Sequence, residues 1–239
     1  MEEQVGRLLD DLDFPALYRG YTWRDDTWEK GFLEILDLER EVTAAARSLA
    51  LGLDHVQKIA RRDDLLAPAR IAVTLYIGSA PAYWLMLEPE ETIQTVERQI
   101  RGLGPVCASK LLRFAVPQVF GTLDARLIRV FGRGDSGSQR YPLLDLAVEL
   151  SGDRWAIPAG QPGWPGEYGA WAGALQAVAG GLNRDEVSCP HPAGFAAAGL
   201  RSEGIWAAAD VEMALSCYAA GVLRGEERSA GSLAEAFPG

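Results

Sequence analysis

Only three lysines, two histidines and three cysteines occur in 239 residues, against twenty arginines. Each shortage removes a class of chemistry. Cys107, Cys189 and Cys217 are scattered and odd in number, which argues against a disulfide framework, and they lack the close four-cysteine spacing of an iron–sulfur site. His55 and His191 give a histidine-rich metal centre or a Ser-His-Asp triad little to work with, so no metal is expected. No apolar run approaches the roughly 20 residues of a membrane helix, and a membrane partner is not expected. The opening "MEEQVGRLLDDLD" is acidic and amphipathic, unlike the basic-then-apolar pattern of a signal peptide, so a cytoplasmic location is expected. Convincing strands are few, and there is no internal repeat.

What is abundant is helical periodicity. "TWEKGFLEILDLEREVTAAARSLALGL" repeats apolar residues at helical spacing with charges on the other face. "APARIAVTLYIGSAPAYWLML" predicts a buried core helix broken near Gly78 and Pro81. "EPEETIQTVERQI" has Pro89 and acidic residues as start signals, with Ile93, Val96 and Ile100 on one face. "RGDSGSQRYP" and "IPAGQPGWPGEY" read as loops. Two helices follow. In one, Tyr168, Trp171, Leu175, Val178 and Leu182 share a side; in the last, Val211, Leu215, Tyr218 and Val222 do, with Asp210 as cap. The expected fold is all-α and a single unit over 1–239. Within it, 1–65 form an N-terminal helical region, 66–140 hold the core helix and the segments described next, and 141–239 form a C-terminal helical region.

Charge is distributed unevenly. Residues 98–140 carry eight basic side chains against Asp124 and Asp135, a net +6, while the whole chain is −10 and the remainder therefore −16. Such an island is a candidate footprint for phosphates, although arginines on amphipathic helices can equally be solvated surface. Within it, residues 92–116 parse as helix, four-residue hairpin and helix. Arg101 ends the first, "GLGP" makes the turn, and Pro105 opens a second that Pro117 stops. Gly102 and Gly104 can take positive φ and let another backbone approach, and Leu103 can plug the gap between the helices. Free N–H groups at the second helix start can hold a phosphate oxygen. A third helix follows, with Thr122 as its expected cap, Asp124 in its first turn and Gly132 as its stop.

"LGPVCASKLLRF…TLDARLIRV" resembles the helix-hairpin-helix motif and trailing aspartate of the HhH-GPD superfamily of DNA glycosylases, nearest the branch with an 8-oxoguanine-glycosylase-like fold. The resemblance covers about 40 residues, or about 75 with the preceding apolar helix. It implies a helical fold with an active-site cleft between lobes, and an enzyme that flips a modified base and breaks its N-glycosidic bond. Asp124 would be the catalytic carboxylate, stabilising positive charge on the sugar and orienting water. Arg101, Gly102, Leu103, Gly104, Val106, Lys110 and Arg126 would hold the DNA backbone. Val106 stands where bifunctional members carry a lysine nucleophile. Lys110, one turn later, is a candidate amine as well as a candidate phosphate contact or solvated charge, and a monofunctional enzyme is expected.

For the base pocket the candidates are Trp164, Tyr168, Trp171, Trp206 and Asp210, with Trp155 a further aromatic of the same half; Trp171 also reads as core and Asp210 as a cap. The partner would be double-stranded DNA carrying an oxidised or hypermodified base. One such base is a glucosylated hydroxymethylcytosine of phage DNA, which would make the activity an antiviral defence. No cofactor is implied beyond room for a monovalent cation at the hairpin when DNA is bound, and the protein would act as a monomer. Two other readings stay open: a DNA-binding module that kept the hairpin without the chemistry, and an acidic helical protein-interaction protein.

Overall fold

Helix ends follow local chemistry in this computed structural model, which describes residues 1–23, 28–47, 58–59, 88–99, 103–133, 140–152, 154–158 and 160–236. The expected core helix near Gly78 and Pro81, and Arg101, Gly102 and Ile100 of the hairpin, lie outside the described residues. Among the described residues the chain is mostly helical. In chain order the helices are α1 (Glu2–Asp11), α2 (Phe14–Arg19), α3 (Trp28–Arg47), α4 (Pro89–Gln99), α5 (Pro105–Ala115) and α6 (Ala125–Phe131). A two-stranded antiparallel hairpin follows, β1 (Glu149–Ser151) with β2 (Arg154–Ala156), and then α7 (Gly166–Arg184), α8 (Ala193–Ala197) and α9 (Ala208–Ala236). The mostly helical make-up agrees with the all-α expectation, and the short hairpin is a small addition that the helical periodicity did not name. Glu149, Leu150 and Ser151 are exposed rather than packed, so no apolar alternation marks the strands in the sequence.

Two caps show how the chain punctuates itself. Asp13 opens α2 by accepting from the Ala16 N–H at 3.0 Å. Asp124, not Thr122, caps α6. Its backbone is extended (φ −119°, ψ 173°), and Oδ1 accepts from the Leu127 N–H at 3.0 Å. The expected first-turn carboxylate is thus the cap itself, one position before the helix, where its charge still faces the positive end of the dipole.

Helix α9 is the centre of the packing. It lies against α2, α6 and α7; α7 also meets α1 and α4, and α3 packs on α5. Phe14, Tyr18, Ile93, Phe114, Phe120, Phe131, Tyr168, Trp171 and Leu215 are all fully or almost fully buried. Close approaches are made at glycines. A Cβ on Gly121 would overlap the Leu175 side chain and sit 2.8 Å from Glu212 Cβ, so the segment before α6 can settle between α7 and α9 only without one. The expected stripe of α7 is buried as a whole, because it faces α1, α4 and α9 at once.

The interior also holds charge. Glu39 of α3, Arg113 of α5, Arg201, and Asp210 and Glu212 of α9 are each less than a tenth exposed. Arg201 reaches Glu39 with Nη1 (2.9 Å) and Nη2 (3.0 Å) and Asp210 with Nε (3.0 and 3.1 Å). Arg113 Nη1 lies 3.0 Å from the same Glu39, and Nε lies 3.7 Å from Glu212. Two arginines therefore tie α3, α5 and the start of α9 together. Pairing of opposite charges, closest around Arg201, is what makes interior charge tolerable.

Candidate active site

Five separate pieces of chain meet around Asp124. The α6 residues Ala125, Arg126 and Arg129 flank it, Val106 comes from the first turn of α5, and Trp155 comes from β2. Thr22 and the α9 residues Ala220, Leu223 and Arg224 close the far side of a cleft of about 580 Å³. Two of the residues singled out around the hairpin, Val106 and Arg126, thus share a wall with the candidate carboxylate. Gly104 is exposed at the N-cap of α5 with its backbone extended (φ −82°, ψ 173°), and the first-turn amides of that helix follow directly. Leu103 is buried.

The cleft's chemistry is a partly buried carboxylate among guanidinium groups. The Arg129 Cζ lies 4.5 Å above the centroid of the Trp155 ring, close enough for a cation–π contact that orders both side chains. Arg224 is an exposed residue whose Nε donates to the Ala220 carbonyl at 3.1 Å. Behind the cleft sits a second carboxyl, Glu212. Its Oε1 accepts from the Ser216 hydroxyl at 2.8 Å. Burial pushes its pKa up to about 7, and the Asp124 charge adds to that; Arg113, the Ser216 bond and a backbone contact at Thr122 pull the other way. Tyr21, whose hydroxyl burial drives well above its ordinary value, lies within the electrostatic reach of Glu212, Arg113, Asp124 and Arg126. One carboxyl, Asp124, therefore lines the opening, and a second, Glu212, held back by burial, lies behind it.

Several expected site residues are elsewhere, and each has a structural explanation. Lys110 is half-buried on α5 and is not among the residues that line the cleft. Trp164 is half-buried, and its Nε1 donates to Glu97 at 3.0 Å, fastening its loop to α4. Tyr168 and Trp171 are fully buried, and their polar atoms donate to the Gly121 and Thr122 carbonyls at 3.1 and 2.9 Å. They hold the irregular segment leading to Asp124 from behind rather than offering a ring to a ligand. Trp206 is buried against Phe14 and Tyr18, donates to the Val187 carbonyl, and borders a different hollow of about 340 Å³ that shares no lining residue with the Asp124 cleft.

Asp210 is fully buried. Its Oδ2 accepts from the Ala207 N–H at 2.9 Å, reaching back to the start of α9, and from His191 if Nε2 carries the proton (3.0 Å). Burial alone would raise its pKa, yet the Arg201 charge and the His191 contact outweigh it and hold the group at about 2. Cys189, His191 and Asp210 bring ligand-type atoms within 4.8 Å of one another. Arg201 already supplies positive charge to both Asp210 oxygens, which is the role a cation would have there.

The basic island divides in the same way. Arg113 is 2 % exposed and belongs to the interior, where Nη2 also contacts the Met213 sulfur. Arg133 pairs with Asp145 and Arg140 with Asp11 on the surface. Among the described residues of the island, Arg126 and Arg129 reach the cleft. Sequence reasoning did not bring Thr22, Arg224 or Glu212 to this place. Trp155 was visible as an aromatic of the later half and Arg129 as one of the basic island, but nothing local pairs them. No family model, curated protein or solved structure matches the chain.

Proposed function

We propose that the protein is a DNA glycosylase that extrudes a modified base and hydrolyses its N-glycosidic bond, leaving an abasic site. The observation that carries this reading is the position of Asp124: a part-buried carboxylate at a helix start, open to a cleft that also presents arginines and an aromatic ring. Departure of a base builds positive charge on the sugar. A carboxylate facing it lowers that barrier and orients the attacking water. Arg126 and Arg224 are suited to phosphates on either side of the extruded nucleotide, and the Trp155 ring with Arg129 behind it offers a face on which a base can stack.

No lysine lines the cleft, and Val106 presents an aliphatic side chain where an amine nucleophile would have to stand. Direct hydrolysis is the mechanism these residues support, and a borohydride-trapped covalent adduct would contradict it. The substrate base is an oxidised or hypermodified one, the glucosylated hydroxymethylcytosine of phage DNA among them. Base release screened over modified duplexes and T-even phage DNA tests the reading, with Asp124→Asn as the control. Asparagine keeps the capping oxygen while removing the charge, so release is expected to fall at least about a hundredfold with the fold intact. Binding without release from any substrate would leave a non-catalytic DNA-binding module.

A further inference from the structure

The residues that lead into Asp124 have their main-chain groups held by side chains from two other helices. The Gly121 and Thr122 carbonyls accept from Tyr168 and Trp171 of α7. The next residue is held from α5 instead: the Leu123 N–H donates to the Ser109 hydroxyl oxygen at 3.0 Å. Ser109 and Leu123 are both 0 % exposed, so water is not at hand to replace that bond. The same hydroxyl has two carbonyls in reach for its hydrogen, Val106 at 3.0 Å and Leu123 at 3.3 Å. A serine inside a helix ordinarily bonds back to a carbonyl of its own helix. Here its oxygen also accepts from a residue 14 positions ahead, the one that precedes the cleft carboxylate.

That bond joins two parts of the cleft. Val106, whose carbonyl Ser109 reaches, lines it from the first turn of α5; Asp124, beside Leu123, lines it at the start of α6. Asp124 is fixed on one side by its own cap, Oδ1 accepting from the Leu127 N–H. On the other side, the Leu123 amide is the hydrogen-bonded group of its immediate neighbour. Without the Ser109 hydroxyl that buried N–H has no partner, and the backbone must shift to find one. Asp124 is the next residue along, so its carboxylate turns with the shift. Helix α7 does not compensate, because Tyr168 and Trp171 already donate to the carbonyls before Leu123.

We infer that Ser109 is a positioning residue for Asp124, coupling the chain that enters α6 to the first turn of α5, so that the carboxylate and the amides at the start of α5 keep one spacing. Ser109 meets no substrate; it acts through Leu123. The inference rests on the proposed reading of the cleft, but its test needs neither a known substrate base nor a broken bond. The probes are two duplexes that differ at one nucleotide: a neutral tetrahydrofuran abasic analogue in one, a protonated pyrrolidine analogue in the other. The second places positive charge on the sugar-like ring, where a departing base would leave it. Wild-type protein should bind it at least about tenfold more tightly than the first, and Asp124→Asn should remove that preference. Ser109→Ala, or Ser109→Cys with its weak sulfur acceptor, should cut the preference at least about threefold while tetrahydrofuran affinity moves less than about twofold. In the free protein, hydrogen exchange at the Leu123 amide should speed up in both variants. Where Ser109→Thr makes that amide slow again, the preference should return. Val178→Ala, a buried change on α7 that does not line the cleft, should leave the preference intact.

A full preference in Ser109→Ala and Ser109→Cys overturns the positioning role and leaves the proposed function standing. So does an equal loss in Val178→Ala, which marks a general softening of the core, or a preference that stays low in Ser109→Thr after the Leu123 amide is protected again. Wild-type binding of both duplexes without preference overturns the role together with the catalytic reading of Asp124. Failure to bind either duplex removes the positioning role and the proposed function at once.

Discussion

Replacing Glu212 by glutamine should flatten part of the protein's stability profile between about pH 4.5 and pH 7. The carboxyl is 4 % exposed. Its one strong hydrogen bond comes from Ser216, and the nearest guanidinium, Arg113, is 3.7 Å away and already engaged with Glu39 at 3.0 Å. Burial therefore prevails, and the folded protein keeps a proton on this group up to about pH 7, whereas the unfolded chain releases it near 4.5. Because the folded state binds the proton more tightly, the contribution is fully present below 4.5 and is lost as pH rises toward 7. At about 1.4 kcal/mol per pH unit, the whole interval amounts to roughly 3 kcal/mol. Glutamine preserves the volume and the acceptor for Ser216 but cannot ionise. The quantity to measure is the difference in unfolding free energy between Glu212→Gln and wild type, from urea titrations at pH 4.5, 6, 7 and 8. Titrations common to both proteins cancel in that difference. It should move toward the variant by roughly 3 kcal/mol across the series and level off above pH 7. A difference that stays constant with pH would refute the argument that burial outweighs Arg113 at this site.

Arg201→Ala removes the guanidinium shared by Glu39 and Asp210 and leaves two buried carboxylates short of charge. A loss of about 3–5 kcal/mol is expected, read from the urea midpoint. Gly121→Ala places a methyl group against Leu175 and Glu212; a cost of about 1–3 kcal/mol in the same assay follows from overpacking. Arg126→Ala, at an exposed cleft position, should leave stability within about 0.5 kcal/mol. In duplex binding it should reduce the slope of log affinity against log salt by about one, and an unaltered slope would show that this arginine meets no phosphate.

Much of the local structure was legible from residue order. The boundaries of α5 follow from Pro105 and Pro117, and Gly132 ends α6, because each acts through its own backbone. The buried faces of α4 and α7 follow from spacing, since Ile93, Val96, Tyr168, Trp171 and Leu175 recur at helical intervals. Asp124 could be singled out by its place at a helix start behind the hairpin. Its status as the cap instead of a first-turn residue is a shift of one position, within the scatter of any helix boundary.

The aromatics show where that legibility stopped. Trp164, Tyr168, Trp171 and Trp206 could be seen to be aromatic, but whether a ring faces ligand or core depends on which backbone carbonyl or carboxylate its polar atom finds, and those partners come from distant parts of the chain. The same holds for charge. Arg113 and Arg126 belong to one basic run, yet one is sealed between Glu39 and Glu212 and the other stands in the cleft.

Sequence alone determined most of the helical segments and the place of the carboxylate at 124 near a helix start, because those depend on a residue and its near neighbours. Only the tertiary structure decided that Val106, Trp155, Arg129 and Arg224 surround that carboxylate and that Lys110 does not. Packing α6 between the hairpin and α9 brings together groups far apart in the chain, and side-chain direction across such distances is set by the whole core at once, not by local spacing.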